Sequence, residues 1–281
     1  MKLIQKFLDF LVYSNLFIAG CAVVMVNQTF HLVLHEKADL NLALFVLFST
    51  LCSYSFHWWL PTHVTDVSPR SKWVDKFRFV YIILFIIGLA GSGIFFFRLI
   101  DYWPWLMVSA FVTFLYSAPK ISHPLFRALR KVALGKTIFL AFVWMFVTTV
   151  LPIVISGNAL KGDYVFFIFS RFFLIYAICI LFDLRDKDAD KEAGIRSLVT
   201  YLNDRGNLYL FVASLFVFVA ATVSLLYYHY SIVSVLILLL PGILAAGFYR
   251  FSRRQNADMF YYLVLDGLMA LSAFIMLVPG I

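Results

Sequence analysis

Charged side chains are scarce in this sequence: Asp, Glu, Lys and Arg together make up 14% of its 281 residues. Apolar residues make up 63%, and 32 of them are phenylalanine. No soluble domain of this length has enough interior to hide that much apolar surface. Cysteine is also rare. Cys21, Cys52 and Cys179 are scattered in apolar segments without paired spacing, which excludes a disulfide framework and a thiolate metal knuckle. Short segments of alternating hydrophobicity are missing, so a transmembrane barrel is excluded. The chain has no linker and no low-complexity tract, so residues 1–281 read as a single domain. Few ionisable residues fall inside the apolar runs and no Gly/Pro-broken pair of runs stands out, which argues against a solute transporter.

What the chain does have is apolar runs, with a mean hydropathy of +0.91. A helix needs roughly 20 apolar residues to cross the hydrocarbon core. Nine stretches qualify: 10–28, 40–60, 78–97, 103–119, 137–156, 164–182, 207–227, 231–249 and 260–279. The expected fold is therefore an all-α polytopic membrane protein with nine transmembrane helices. With the N-terminus cytoplasmic, 19 of the 23 Lys and Arg residues fall on the cytoplasmic side and only Lys37, Arg98 and Lys161 outside. The positive-inside rule thus sets the N-terminus in and the C-terminus out. The net charge of +8 follows from this topology and from anionic lipid headgroups. It calls for no nucleic-acid partner. The expected location is a cell membrane, as a multi-pass protein of the bacterial inner-membrane kind.

One stretch breaks the pattern. "LFDLRDKDADKEAGIRSL" (residues 181–198) places four aspartates and a glutamate directly after an apolar run. If the sixth helix continues beyond Phe182, then Asp183, Asp186 and Asp190 fall within about 60° of arc on one face. Asp188 points the other way, Arg185, Lys187 and Lys191 lie outside the arc, and Gly194 offers a stop. Three carboxylates so placed repel one another unless a cation sits between them. Oxygen-only ligands suit Mg²⁺, which takes one or two carboxylates and shares substrate phosphates. The plainer alternative is a solvated, salt-bridged loop.

"FDLRDKDADKEAGIRSL" resembles the second aspartate-rich motif of the UbiA superfamily of intramembrane prenyltransferases, through Asp183, Asp186, Asp190, Gly194 and Ser197. "LYSAPK" (residues 115–120) is similar to the family's Tyr-x-x-x-Lys element after the fourth helix. The resemblance implies nine helices around a central cavity that binds an isoprenyl diphosphate. It implies Mg²⁺ on Asp183, Asp186 and Asp190, and diphosphate contacts from Tyr116 and Lys120. The allylic cation formed as diphosphate leaves would be captured by an aromatic or other lipophilic acceptor, unidentified by the sequence. Cations must neutralise such a leaving group, and an aromatic, dry cavity suits the carbocation.

The sequence departs from the family at the first motif, N-x-x-x-D-x-x-x-D, which should follow the second helix. The chain has "CSYSFHWWLPTHVTD" (residues 52–66), so Ser55, Trp59 and His63 stand at the motif positions, and a register from Ser53 fares no better. Three explanations compete. Arg70, Lys120 or His63 could supply the missing positive charge beside a single Mg²⁺, the substrate could differ, or the chain could be a non-catalytic lipid-binding relative. Elsewhere, Arg171 inside the sixth run suggests a cavity role or a snorkelling side chain, Asp266 in the ninth run a partner for a cation or an acceptor hydroxyl, and Asn27 and Gln28 interfacial polar groups.

Overall fold

The computed structural model describes residues 2–60, 68–118, 136–192, 197–254 and 257–278. Among them there is no strand. The first helix, α1 (Lys2–Tyr13), is short and stops at Ser14 and Asn15, the latter in the left-handed conformation with φ 66°. The first spanning helix, α2 (Leu16–Leu34), follows at once and ends in a π-helical segment, Thr29–Leu34. It therefore starts six residues later than the apolar run beginning at residue 10 suggests, because Asn15 breaks the helix inside that run.

The second span is α3 (Leu40–Trp59), capped by the Asp39 carboxylate, which accepts from the Leu42 N–H at 2.7 Å. A short helix, α4 (Pro69–Lys76), has Ser68 as its N-cap and leads into α5 (Arg78–Arg98). Next come α6 (Trp103–Ser117) and α7 (Thr137–Ile155), the latter with a π segment at Phe146–Val150. The sequel is α8 (Gly162–Glu192), the short α9 (Leu198–Tyr201), α10 (Asp204–Tyr228), α11 (Ile232–Ser252) and α12 (Phe260–Met276). Seven of the described helices are long and apolar enough to cross a membrane; α6, of 15 residues, and α12 are shorter and occupy the fourth and ninth expected positions.

The centre of the bundle is α8. Every residue from 174 to 181 is buried, so this stretch is surrounded on all sides, as an evenly apolar helix should be. By contrast, only Tyr81, Gly88 and Gly91 of α5 are buried. Those two glycines form the seam against α3. A methyl group on Gly88 would lie 2.6 Å from the Cys52 backbone nitrogen, and one on Gly91 would run into the Phe48 ring. Small residues of this kind let membrane helices approach closely where no hydrophobic effect drives them together.

Arg171 neither snorkels nor meets a carboxylate among the described residues. It is 5% exposed, and its Nη2 donates to Gln28 Oε1 at 2.8 Å and its Nη1 to Thr148 Oγ1 at 3.3 Å. Gln28 is thus an interior residue rather than an interfacial one, and it also donates to Ser272 Oγ at 3.1 Å. Thr29 ties the π segments of α2 and α7 together by donating to the Thr148 carbonyl at 2.7 Å. A buried cation solvated by neutral dipoles in this way joins four spans with no carboxylate partner among the described residues.

The α3/α5 seam makes a direct prediction. Gly88→Ala should lower stability by about 1–3 kcal/mol, the cost of overpacking against backbone, whereas Gly93→Ala, with open space around its Cβ, should leave it unchanged. Thermal unfolding in detergent checks this, and equal melting temperatures for the two variants would contradict the seam.

Candidate functional site

The helix α8 does not stop where its apolar run ends at Phe182. No Gly or Pro interrupts residues 183–192, and the helix continues to Glu192. The acid run therefore projects from the core in helical register. Asp183 and Asp190 are buried and Asp186 is half-buried, while Asp188 is exposed. Lys187 turns away from that face and donates to the Leu202 carbonyl at 3.3 Å.

The three carboxylates meet different neighbours. Asp183 accepts from the Thr137 hydroxyl at the start of α7. Asp186 is held by its own neighbour: Arg185 Nε donates to Oδ1 at 2.6 Å and Nη2 to Oδ2 at 3.2 Å. Such a bidentate pair is strong and directional. A helical wheel places Arg185 outside the acid arc, but the side chain is long enough to fold back. Its Nη2 also donates to the Tyr262 hydroxyl at 3.2 Å, and its guanidinium lies 4.2 Å from the Tyr261 ring centroid. Its Nη1 is buried with no hydrogen-bond partner among the described residues. A guanidinium with one idle buried donor is a place where an anion's oxygen can be accommodated.

Tyr262 connects this arginine to a second one. The Arg70 guanidinium sits in the corner between Trp58 and Tyr262, 3.9 and 4.1 Å from their centroids, with the two rings 86° apart. Arg70 is 3% exposed. Its Nη2 donates to Asn15 Oδ1 at 2.7 Å, and its backbone N–H donates to Asp258 Oδ2 at 2.7 Å. The rings replace much of the water that a buried guanidinium loses. Asp266 lies within electrostatic range of Arg70, Arg185 and Tyr54. Aromatic contacts continue along α3. His57 stacks on Tyr116 with centroids 5.0 Å apart and pairs with Ser117 Oγ at 3.2 Å, and Trp144 Nε1 donates to the Tyr54 hydroxyl at 3.2 Å.

The structure thus brings together Asp186, Arg70, Arg185, Trp58 and Tyr262, with Asp266 within electrostatic range of both arginines. Tyr116 stands on the α3 side with His57. Ser55 is fully buried, and its hydroxyl has no hydrogen-bond partner among the described residues. Trp59 points outward, 38% exposed, with the Arg78 guanidinium 5.7 Å from its ring, so it is not part of this group. Lys120 and His63 lie outside the described residues. Arg185, Tyr262, Asn15 and Thr137 were not singled out from sequence, and Trp58 read as an interfacial belt residue before a cation-stabilising one. Only Arg185 carried a signal there, as a cation inside the acid run.

The donor set was tested for Mg²⁺. Among the described residues no three His, Cys, Asp or Glu side chains converge on one point, so the acid face is not a closed cage. Its chemistry nonetheless suits an ion that takes one or two carboxylates and completes its shell with phosphate and water.

The fold is similar to the apo structure of a UbiA homolog from Aeropyrum pernix K1, with a TM-score of 0.55 over 95% of this chain and 98% of that one, at 14% identity. No curated protein sequence matches. The profile of the UbiA prenyltransferase family matches residues 74–265, a range that contains the acid run and begins after the segment where the first acidic motif is replaced. By that match, over more than half its length, this chain belongs to the UbiA prenyltransferase family.

Proposed function

We propose that the chain transfers a prenyl group from an isoprenyl diphosphate to a lipophilic or aromatic acceptor within the membrane. Family membership supports prenyltransferase-type chemistry in general. The observation that carries the specific reading is the pairing of an acid face with two arginines, Arg70 buried and Arg185 half-buried, at one end of the central helix. Arg70 and Arg185 both contact Tyr262, so the ring fixes the two guanidinium groups relative to each other.

Asp183, Asp186 and Asp190 would hold Mg²⁺ together with the diphosphate oxygens. When bound, the ion neutralises charge on the departing diphosphate. The first acidic motif is absent, and with it the carboxylates for a second ion. Arg70 and Arg185 would supply that positive charge directly: Arg185 through its idle Nη1, Arg70 through a guanidinium already desolvated against two aromatic rings. Tyr116 and Lys120 complete the diphosphate contacts on the strength of the Tyr-x-x-x-Lys pattern. Transfer breaks the C1–O bond of the donor, whose electron pair leaves with diphosphate. The acceptor's electron pair forms the new bond to C1, and its proton is released. Asp266, inside the same group, is the carboxylate that can take that proton.

A second reading, a lipid-binding member without transferase chemistry, is favoured by the outward-facing Trp59 and by the Arg185 clamp on Asp186. Turnover separates the two. The purified chain is incubated with Mg²⁺ and radiolabelled geranyl to geranylgeranyl diphosphates, and diphosphate release is followed. Release is expected for at least one chain length. No release with any of them, and no Mg²⁺-dependent thermal stabilisation by diphosphate, would leave the lipid-binding reading in place.

Asp186→Asn and Asp190→Asn should each remove the Mg²⁺-dependent stabilisation and lower diphosphate release by about 100-fold or more, the scale of a lost electrostatic contact in the transition state. Folding should suffer little at Asp186→Asn, by about 1 kcal/mol, because the amide oxygen still accepts from Arg185. Unchanged metal dependence in both variants would discredit the acid face. Tyr262 can be dissected in the same assay. Tyr262→Phe keeps the ring against Arg70 and drops only the hydroxyl, so it should weaken diphosphate binding less than Tyr262→Ala; equal losses would show that the ring does not position Arg70.

A further inference from the structure

The helix α1 has 12 residues, about 18 Å of helix, which is too short to cross a bilayer. Yet it presents large apolar side chains to the outside: Leu3 is 81% exposed, Ile4 66%, Phe7 61% and Phe10 46%. On a helical wheel these four occupy an arc of about 120°. On the opposite side are Gln5 and Asp9, hydrogen-bonded to each other at 2.9 Å. These two, with Tyr13, face Lys72, Trp73 and Asp258 across a cavity of about 470 Å³ between α1 and α4. The apolar arc is therefore turned away from the protein and the polar side toward it.

Two residues, Ser14 and Asn15, separate α1 from the first spanning helix. The end of α1 must then lie at the membrane boundary, where the polar-to-apolar division of such a helix matches that of the lipid. The junction is clamped. Val12 and Tyr13 are buried, the Tyr13 carbonyl accepts from the Tyr81 hydroxyl, and Asn15 Oδ1 accepts from Arg70 Nη2. Through Arg70 the junction reaches Trp58 and Tyr262.

We propose that α1 is an interfacial anchor, docked on the phospholipid leaflet through Leu3, Ile4, Phe7 and Phe10, and that this docking holds Asn15 where it positions Arg70. The partner is the boundary between headgroups and acyl chains, not a second copy of the chain. A second copy would cover the arc with protein and leave the start of the first span to find its depth unaided. The anchor stands on its own geometry and does not rest on the proposed transferase reaction. Its effect is to make the placement of Arg70 depend on contact between α1 and lipid.

The photoreactive residue p-benzoylphenylalanine, placed singly at Phe7, Phe10 or Gln5 of the otherwise native full chain in phosphatidylethanolamine/phosphatidylglycerol vesicles, tests the docking. Intact mass after illumination should show a phospholipid adduct at positions 7 and 10 and none at position 5. Absence of lipid adducts at 7 and 10, or cross-linked dimers in their place, would overturn the anchor. Hydrogen exchange in the same vesicles tests the link to Arg70. The Phe7→Glu/Phe10→Glu variant should exchange faster across residues 69–76 by several-fold, as should Asn15→Ala, with the central helix α8 unchanged in both. Unaltered exchange over 69–76 in the double variant would overturn the positioning role, whatever the outcome for catalysis.

Discussion

Burying a guanidinium inside an apolar bundle is expensive, and the arrangement of this protein follows from how that cost is met. Arg70 is placed against two aromatic faces, a side-chain amide and, through its backbone, a carboxylate. Arg185 is met by Asp186 and by the Tyr262 hydroxyl. Because one tyrosine serves both arginines, the end of α12, the helix α4 and the projecting end of α8 cannot move independently. Removing one partner would leave a buried charge uncompensated, which costs far more than the pair contributes. A further buried arginine, Arg171, is met differently: among the described residues its side-chain partners are the neutral Gln28 and Thr148 and the Phe167 ring, 4.9 Å away, with no carboxylate in hydrogen-bond contact. The contrast separates a cation that joins helices from a pair equipped to meet an anion.

The proposed exchange of an acidic motif for a cationic one has a simple electrostatic logic. A family enzyme with two acid motifs attracts cations to attract a diphosphate. On the proposed reading the second motif persists as Asp183, Asp186 and Asp190, Ser55 and Trp59 stand at positions of the first, and Arg70 of α4 supplies positive charge in its place. Fixed guanidinium groups neutralise phosphate without a second ion, though with less charge density than a divalent metal. The proposed interfacial anchor fits the same scheme, since Asn15, just beyond the end of α1, is the residue that holds Arg70.

Much of the fold was legible in sequence because lipid imposes it. A run of some 20 apolar residues has one low-cost structure, and the seven long spans lie where composition put them. The acid register was equally legible, because nothing between Asp183 and Glu192 breaks a helix. What escaped was set by tertiary contact or by single backbone conformations. The apolar run starting at residue 10 hid a break at Asn15, whose left-handed φ has no reliable sequence mark. Gln28 looked interfacial because the π segment beyond it, which carries the span on to Leu34, has no hydropathy signature. The corner formed by Trp58 and Tyr262 joins residues more than 200 positions apart, and no spacing rule reports that.

The most direct measurement is the binding of inorganic pyrophosphate to the full-length protein in nanodiscs, with and without Mg²⁺, for the native chain and for Arg70→Gln/Arg185→Gln. If the guanidinium pair stands in for the missing acidic motif, the native chain retains weak affinity without Mg²⁺, and the double substitution removes it while the folded protein keeps its Mg²⁺ response in part. Pyrophosphate binding that depends wholly on Mg²⁺ and is indifferent to the loss of both arginines would contradict it.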